Sequence, residues 1–360
     1  MRFAAVFSLV PLHIRLHNTH AMKRTILSCL INLLPALVLT VTATAAIAAE
    51  NPWLGAWELT IPGGGAGWLG VEERGGQLQA SLLWGGGSVL PLEAARVDDG
   101  KLILTRIQTV DRKDTAGKTV KTRITETITA MASGDDLKLV TVKPRANGSG
   151  DDKAEFTGKR QPPPPPAPDL SKVKFGEPIS LFNGQDLSGW RLTEPGADSG
   201  WRVKDGVLVN DVTQETGKPR KHFGNLRTDR EFEDFNLKLE TRVAKGGNSG
   251  VYLRGIYEVQ VADTFGKPLD SHNMGAIYSR ITPTSAAEKP PGEWQTLDIT
   301  LADRHVTVLL NGTKIVDNQP IAGCTGGALW SSISRPGPLY LQGDHTGIEY
   351  RNLALRPRLK

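Results

Sequence analysis

Cysteine is nearly absent from this chain. Of two in 360 residues, Cys29 lies in an N-terminal apolar run and only Cys324 lies beyond it. That remainder has no intramolecular disulfide available, so its stability must come from core burial, which a chain of this size can supply. Cys324 sits in a Gly-rich stretch with no histidine beside it in sequence, a poor setting for a thiol nucleophile. Acidic residues are missing altogether from the first 49 positions, which hold Arg2, Arg15, Lys23 and Arg24. Net charge is scarce as well. Without those four cations, the formal +5 falls to 39 Lys and Arg against 38 Asp and Glu, a balance of +1. Such a balance gives no electrostatic basis for binding nucleic acid or an anionic membrane. Long helical periodicity is lacking. The glycine triplets Gly63–Gly65 and Gly85–Gly87 lie between strand-like segments rather than before a helix, a poor fit to a nucleotide-binding loop.

What is present begins with a leader. Met22-Lys23-Arg24 precedes an apolar run from Ile26 to about Val41, then Ala46-Ile47-Ala48. A basic start, an apolar middle and a small-x-small exit predict a secretory signal peptide over residues 1–48, with Met22 as initiator and cleavage after Ala48. The run is short for a membrane anchor. The expected location is periplasmic or extracellular, with no membrane association after cleavage.

Gln161-Pro162-Pro163-Pro164-Pro165-Pro166-Ala167-Pro168 marks a boundary. A proline run stays extended and acts as a semi-rigid spacer. The predicted organisation is a small β-rich domain over 49–160, a linker over 161–169 and a second β domain over 170–360. Short alternating segments in the first half, from Trp57–Ile61 to Leu137–Thr141, suit an antiparallel meander closed as a small barrel or sandwich. Its Trp53, Trp57, Trp68 and Trp84 read either as core or as sugar-stacking platforms. In the second half, Phe235, Leu237 and Leu239 alternate with polar residues, and Asn311-Gly312 between two apolar runs is a strong hairpin signal. The whole reads as all-β, with an antiparallel two-sheet sandwich in the C-terminal half.

The chemistry concentrates in Asn248–Arg254 and Tyr257–Asp263. Strand side chains alternate, so Glu258, Gln260 and Ala262 share one face while Tyr257, Val259 and Val261 share the other. Tyr252 and Arg254 likewise oppose Val251 and Leu253. Polar groups on a face that sheet stability does not require suggest a polar ligand site. Candidates are Asn248, Arg254, Glu258, Gln260, Asp263, Tyr278, Trp294, Gln342, Asp344 and His345, since carboxylates, amides and guanidinium groups bond sugar hydroxyls and aromatic faces cover the ring. Each has a plainer reading: Arg254 with Glu258 as a cross-strand ion pair, Asp263 as a turn cap, Trp294 as core. Asp263, His272, Asp344 and His345 lack diagnostic metal spacing, and loop oxygens would suit Ca²⁺ among divalent ions. No cofactor is required.

Leu181–Trp190, Asn248-Ser249-Gly250, Tyr257–Gln260, Gly275–Tyr278, Leu310-Asn311-Gly312, Leu341–His345 and Tyr350–Leu353, in that order, resemble the bacterial 3-keto-disaccharide hydrolase domain family over about residues 174–358. The resemblance implies a concanavalin-like jelly-roll sandwich, a carbohydrate substrate oxidised at C3, and an upstream sugar 3-dehydrogenase as partner. Its chemistry assigns Glu258 or His345 as base, Arg254 as enolate stabiliser and Asp263 as acid or orienter. A direct two-carboxylate glycosidase would instead pair Glu258 with Asp263. The rivals are a non-catalytic lectin-like module and a structural domain of a secreted assembly. Two departures bear on the substrate: Trp294-Gln295, and an extension from Gly323 through Trp330 to Pro338.

Overall fold

The structure, a computed structural model, describes residues 51–113, 117–145 and 148–360. The signal peptide expected over residues 1–48 lies outside the described residues. Among these, strands form three sheets in which every ladder is antiparallel.

The first half is a nine-stranded meander. It comprises β1 (Gly55–Thr60), β2 (Ala66–Arg74), β3 (Gln77–Trp84), β4 (Leu90–Pro91), β5 (Ala94–Asp98), β6 (Lys101–Lys113), β7 (Thr119–Ser133), β8 (Asp136–Pro144) and β9 (Asp151–Gln161). The order β4-β3-β2-β1-β9-β8-β7-β6-β5 looks open, but β4 and β5 are one continuous edge. Leu92 N donates to Ala80 O at 2.8 Å and Glu93 N to Thr105 O at 3.0 Å, so this edge joins β3 to β6 and closes a barrel. Inward alternation fills it with Trp57, Leu59, Leu69, Leu102, Leu104, Ile128 and Leu139. Trp53, Trp57 and Trp68 are buried, which makes them packing residues.

The second half is a sandwich. Its larger sheet runs β12 (Trp201–Lys204), β13 (Val207–Asn210), β22 (Ile348–Pro357), β15 (Phe235–Val243), β18 (Trp294–Ala302), β19 (His305–Leu310) and β20 (Thr313–Pro320), with β10 (Ile179–Ser180) also on β22. The smaller runs β11 (Trp190–Leu192), β14 (Leu226–Phe232), β21 (Gly337–Leu341), β16 (Asn248–Leu253) and β17 (Tyr257–Ala262). Leu310 pairs with Thr313 across Asn311-Gly312, both in the left-handed region, as a two-residue hairpin requires. Leu237, Leu239, Leu297 and Ile299 of one sheet pack with Val251, Leu253, Val259 and Val261 of the other.

The barrel and the sandwich are in direct contact. Ala66, Trp68 and Leu83 belong to the sandwich's core cluster. Trp68 Nε1 donates to Ala322 O at 3.1 Å, and Ile333 N donates to Glu58 Oε1 at 2.9 Å. The proline run is tied down as well: Arg304 Nη1 donates to Pro162 O and Asn318 Nδ2 to Pro168 O, both at 2.9 Å. The extension at 323–338 is therefore one of the segments that meet the barrel. Cys324 within it is fully buried, and burial pushes its thiol up to about 11.

Candidate active site

The smaller sheet turns one face to the core, and its other face carries the polar residues. Register places Arg227 opposite Tyr340, Tyr340 opposite Tyr252, and Tyr252 opposite Glu258. Beyond β17 the segment 275–278 adds a further edge, since Tyr278 N donates to Glu258 O at 3.0 Å and Val259 bridges Ile277. Opposed residues in an antiparallel pair share a face. Arg227, Tyr340, Tyr252, Glu258 and Tyr278 thus form one row across the sheet. The neighbouring row holds Gln342, Gly250 and Gln260, because Gln342 N donates to Gly250 O and Gly250 pairs with Gln260.

Glu258 is the centre of this face. A Cβ on Gly250 would stand 2.3 Å from Glu258 Oε1, so only glycine there leaves space for the carboxyl. Glu258 is 3% exposed and, among the described residues, makes no salt bridge. Its carboxyl meets Tyr252, whose hydroxyl lies 2.8 Å from Oε2. Burial pushes the carboxyl up to about 8; the Tyr252 hydrogen bond and the His345 charge oppose the rise, and the Asp344 charge adds to it. The Tyr252 hydroxyl also lies 2.7 Å from Gly326 O. It has one proton for two acceptors. When Glu258 is ionised, Tyr252 donates to it. When Glu258 is protonated, its own hydroxyl donates to Tyr252, which donates on to Gly326. Tyr340 stacks on Tyr252 with centroids 3.9 Å apart and donates to Gly327 O at 3.0 Å. Thr325 Oγ1 accepts the Glu258 amide at 2.9 Å.

Asp344 and His345 form a half-exposed pair, 2.7 Å from Oδ1 to Nδ1. The hydrogen bond to Asp344 raises the His345 imidazole above its usual range, against partial burial. Burial alone would raise Asp344, but the hydrogen bond and charge of His345 outweigh it and hold the carboxyl below its ordinary value. Asn248 is tied to Thr346, which accepts its amide at 2.7 Å and donates to its carbonyl at 2.9 Å. Gln342 Oε1 and Asn248 Oδ1 are buried acceptors that find no donor among the described residues.

Three expected site residues lie elsewhere. Arg254 begins the β16–β17 hairpin with φ 55°, and its Nη2 donates to Ile333 O and Arg335 O at 2.7 and 2.5 Å. It fixes the extension instead of facing Glu258. Asp263 accepts Gly246 N at 2.8 Å as a turn cap. It stands five positions along the chain from Glu258, about 16 Å at the usual strand rise, and an odd offset sends the two side chains to opposite faces. Trp294 lies in the larger sheet, between Arg242 and Arg351, whose guanidinium carbons are 4.9 and 4.0 Å from its ring. Glu258, Gln260, Gln342 and Tyr278 do share the polar face of the smaller sheet. Sequence reasoning missed Tyr340 and Gly326. The alternation from Gln342 back to Tyr340 carried a signal for the first; the second depends on tertiary contact. Among the described residues, no three His, Cys, Asp or Glu side chains gather as a metal cluster.

Residues 177–356 match the family model described as the 3-keto-alpha-glucoside-1,2-lyase-like domain. The chain belongs to that family. A 3-keto-disaccharide hydrolase of Bacteroides thetaiotaomicron is 28% identical over 143 residues, covering 32% of this chain. The chain spans about half, 49%, of that curated relative's length. Two solved structures are also similar. One is a proposed glycosyl hydrolase from Parabacteroides distasonis, at 23% identity and TM-score 0.39, over 51% of this chain and 94% of that one. The other is a non-specific endo-beta-1,3(4)-glucanase, at 12% identity and TM-score 0.33, over 55% of this chain and 95% of that one. The 3-keto-alpha-glucoside-1,2-lyase-like domain thus comprises the sandwich; the barrel lies outside the matched residues.

Proposed function

We propose that the chain cleaves 3-keto-glycosides by elimination and hydration, with Glu258 as the base. The observation that carries this reading is a buried carboxyl without a cation partner, on a sheet face beside an Asp–His pair. A ketone at C3 acidifies the proton on C2. Ionised Glu258 takes that proton, the C1–O bond breaks, and the departing oxygen needs a proton in turn. His345, whose protonated form the Asp344 hydrogen bond favours, supplies it. Water then adds at C1 while C2 regains a proton, so atoms balance as a net hydrolysis with no redox change. A base with its pKa near the working pH combines adequate ionisation with adequate strength, and burial brings Glu258 to that range. Gln260, Gln342 and Asn248 supply amides for sugar hydroxyls, and the Tyr252–Tyr340 stack lies alongside the carboxyl on this face.

The reading includes export of the mature chain and a separate 3-dehydrogenase that makes the ketone. The test is incubation of purified residues 49–360 with a 3-keto-glucoside and with its unoxidised parent in D₂O. Release of 3-keto-glucose only from the oxidised sugar, with deuterium at C2, supports elimination. Cleavage of both substrates without label would replace it with ordinary glycoside hydrolysis. Binding without cleavage of either, with or without added Ca²⁺, would make the domain lectin-like.

A further inference from the structure

The loop Gly85–Val89, which follows β3 of the barrel, reaches the sandwich at the Tyr278 end of the polar row. Val89 N donates to Ser279 Oγ at 2.8 Å. Ser88 Oγ lies 2.9 Å from His272 Nε2 and 3.5 Å from the Tyr278 hydroxyl. The His272 ring stands edge-on to Tyr278, with centroids 4.9 Å apart and planes at 85°. Asp270 orients the imidazole: its Oδ1 accepts His272 N at 2.7 Å and lies 3.5 Å from Nδ1. The loop is also fixed from beneath, because a Cβ on Gly326 would stand 2.1 Å from Gly87 O. Gly326 is the residue whose carbonyl meets Tyr252.

We propose that Ser88, His272 and Tyr278 form a subsite, shared by barrel and sandwich, that holds the leaving-group sugar of a disaccharide. This rests on the reading of Glu258 as the base at the neighbouring sugar. Tyr278 is one strand from Glu258, about 4.8 Å across the sheet, a step comparable to the width of a pyranose ring. A ring bound over Glu258 therefore places its glycosidic partner near Tyr278. The cluster offers an aromatic ring, an imidazole and a hydroxyl, all half-exposed, a set that fits a neutral polyhydroxylated ring. The family match begins at residue 177, so Ser88 and its loop are an addition to the matched domain. The barrel would thereby select among leaving groups.

The test compares the full mature chain with Ser88→Ala and His272→Gln on a 3-keto-disaccharide and on methyl 3-keto-glucoside. The expected result is a loss of kcat/KM about tenfold larger for the disaccharide than for the methyl glycoside, carried by KM. Equal losses on both substrates, or none on either, would overturn the subsite. If the unmodified chain cleaves neither substrate, the reading of Glu258 falls separately. Calorimetry with the unoxidised disaccharide then decides the subsite: binding weakened by Ser88→Ala upholds it, and no binding, or binding unaffected by the change, overturns it.

Discussion

Two glutamates, Glu126 in the barrel and Glu258 in the sandwich, are each 3% exposed. Glu126 lies on the buried face of β7 between Ile124 and Ile128. Arg106 Nη1 donates to it at 3.1 Å, Gln108 Nε2 at 2.5 Å, and the Thr141 hydroxyl also donates. Its charge is paired and its lone pairs are filled, as burial of a carboxylate demands. Glu258 has one tyrosine, no salt bridge and an elevated pKa. Equal burial with unequal compensation separates a carboxylate that holds strands together from one left ready to exchange a proton.

Four substitutions can break or sharpen that contrast. Glu258→Gln is expected to lower kcat by about a thousandfold, within the range of general acid–base contributions, while far-ultraviolet dichroism stays native. The same change should alter stability with pH. Burial pushes the folded carboxyl from an ordinary 4.5 up to about 8, so the native state binds the extra proton between those values. Stability therefore falls as pH rises through that window, and urea titrations should show this slope flattened in the variant. A kcat within twofold of the parent would end the assignment of Glu258 as base. Glu126→Ala leaves Arg106 unpaired and should cost about 2–3 kcal/mol in denaturant midpoint analysis, with kcat preserved. Loss of activity in a folded Glu126→Ala protein would contradict the contrast. Asp344→Asn removes the main cause of the raised His345 pKa, so the alkaline limb of the pH–rate profile should move down, with about tenfold loss at its upper end. Tyr252→Phe removes the hydrogen bond that lowers the Glu258 pKa. The acidic limb should move up, with loss of about threefold at neutral pH.

The alternation of Tyr257 to Ala262 and the Asn311-Gly312 hairpin were legible because both depend on local periodicity and turn chemistry. The same alternation put Glu258 and Gln260 on one face of β17. Arg254 and Asp263 were drawn in by closeness in sequence, yet a hairpin carries neighbours in sequence to opposite ends of a strand. Their partners, Ile333 and Gly246, are set by loops. The barrel's approach to the site was not legible, since Ser88 and His272 stand 184 positions apart and neither has a local pattern that names the other.

The larger sheet has a consequence for the order in which the protein can be assembled. β22, the last described strand in chain order, lies between β13 and β15 instead of at an edge. Until it arrives, β12 and β13 have no route to β15, and β10 has no partner. Such long-range closure is slow and leaves strand edges bare while it waits. Until that strand is in place the chain holds a complete barrel sequence beside half-sheets that cannot yet join, so bare edges persist longest in the sandwich.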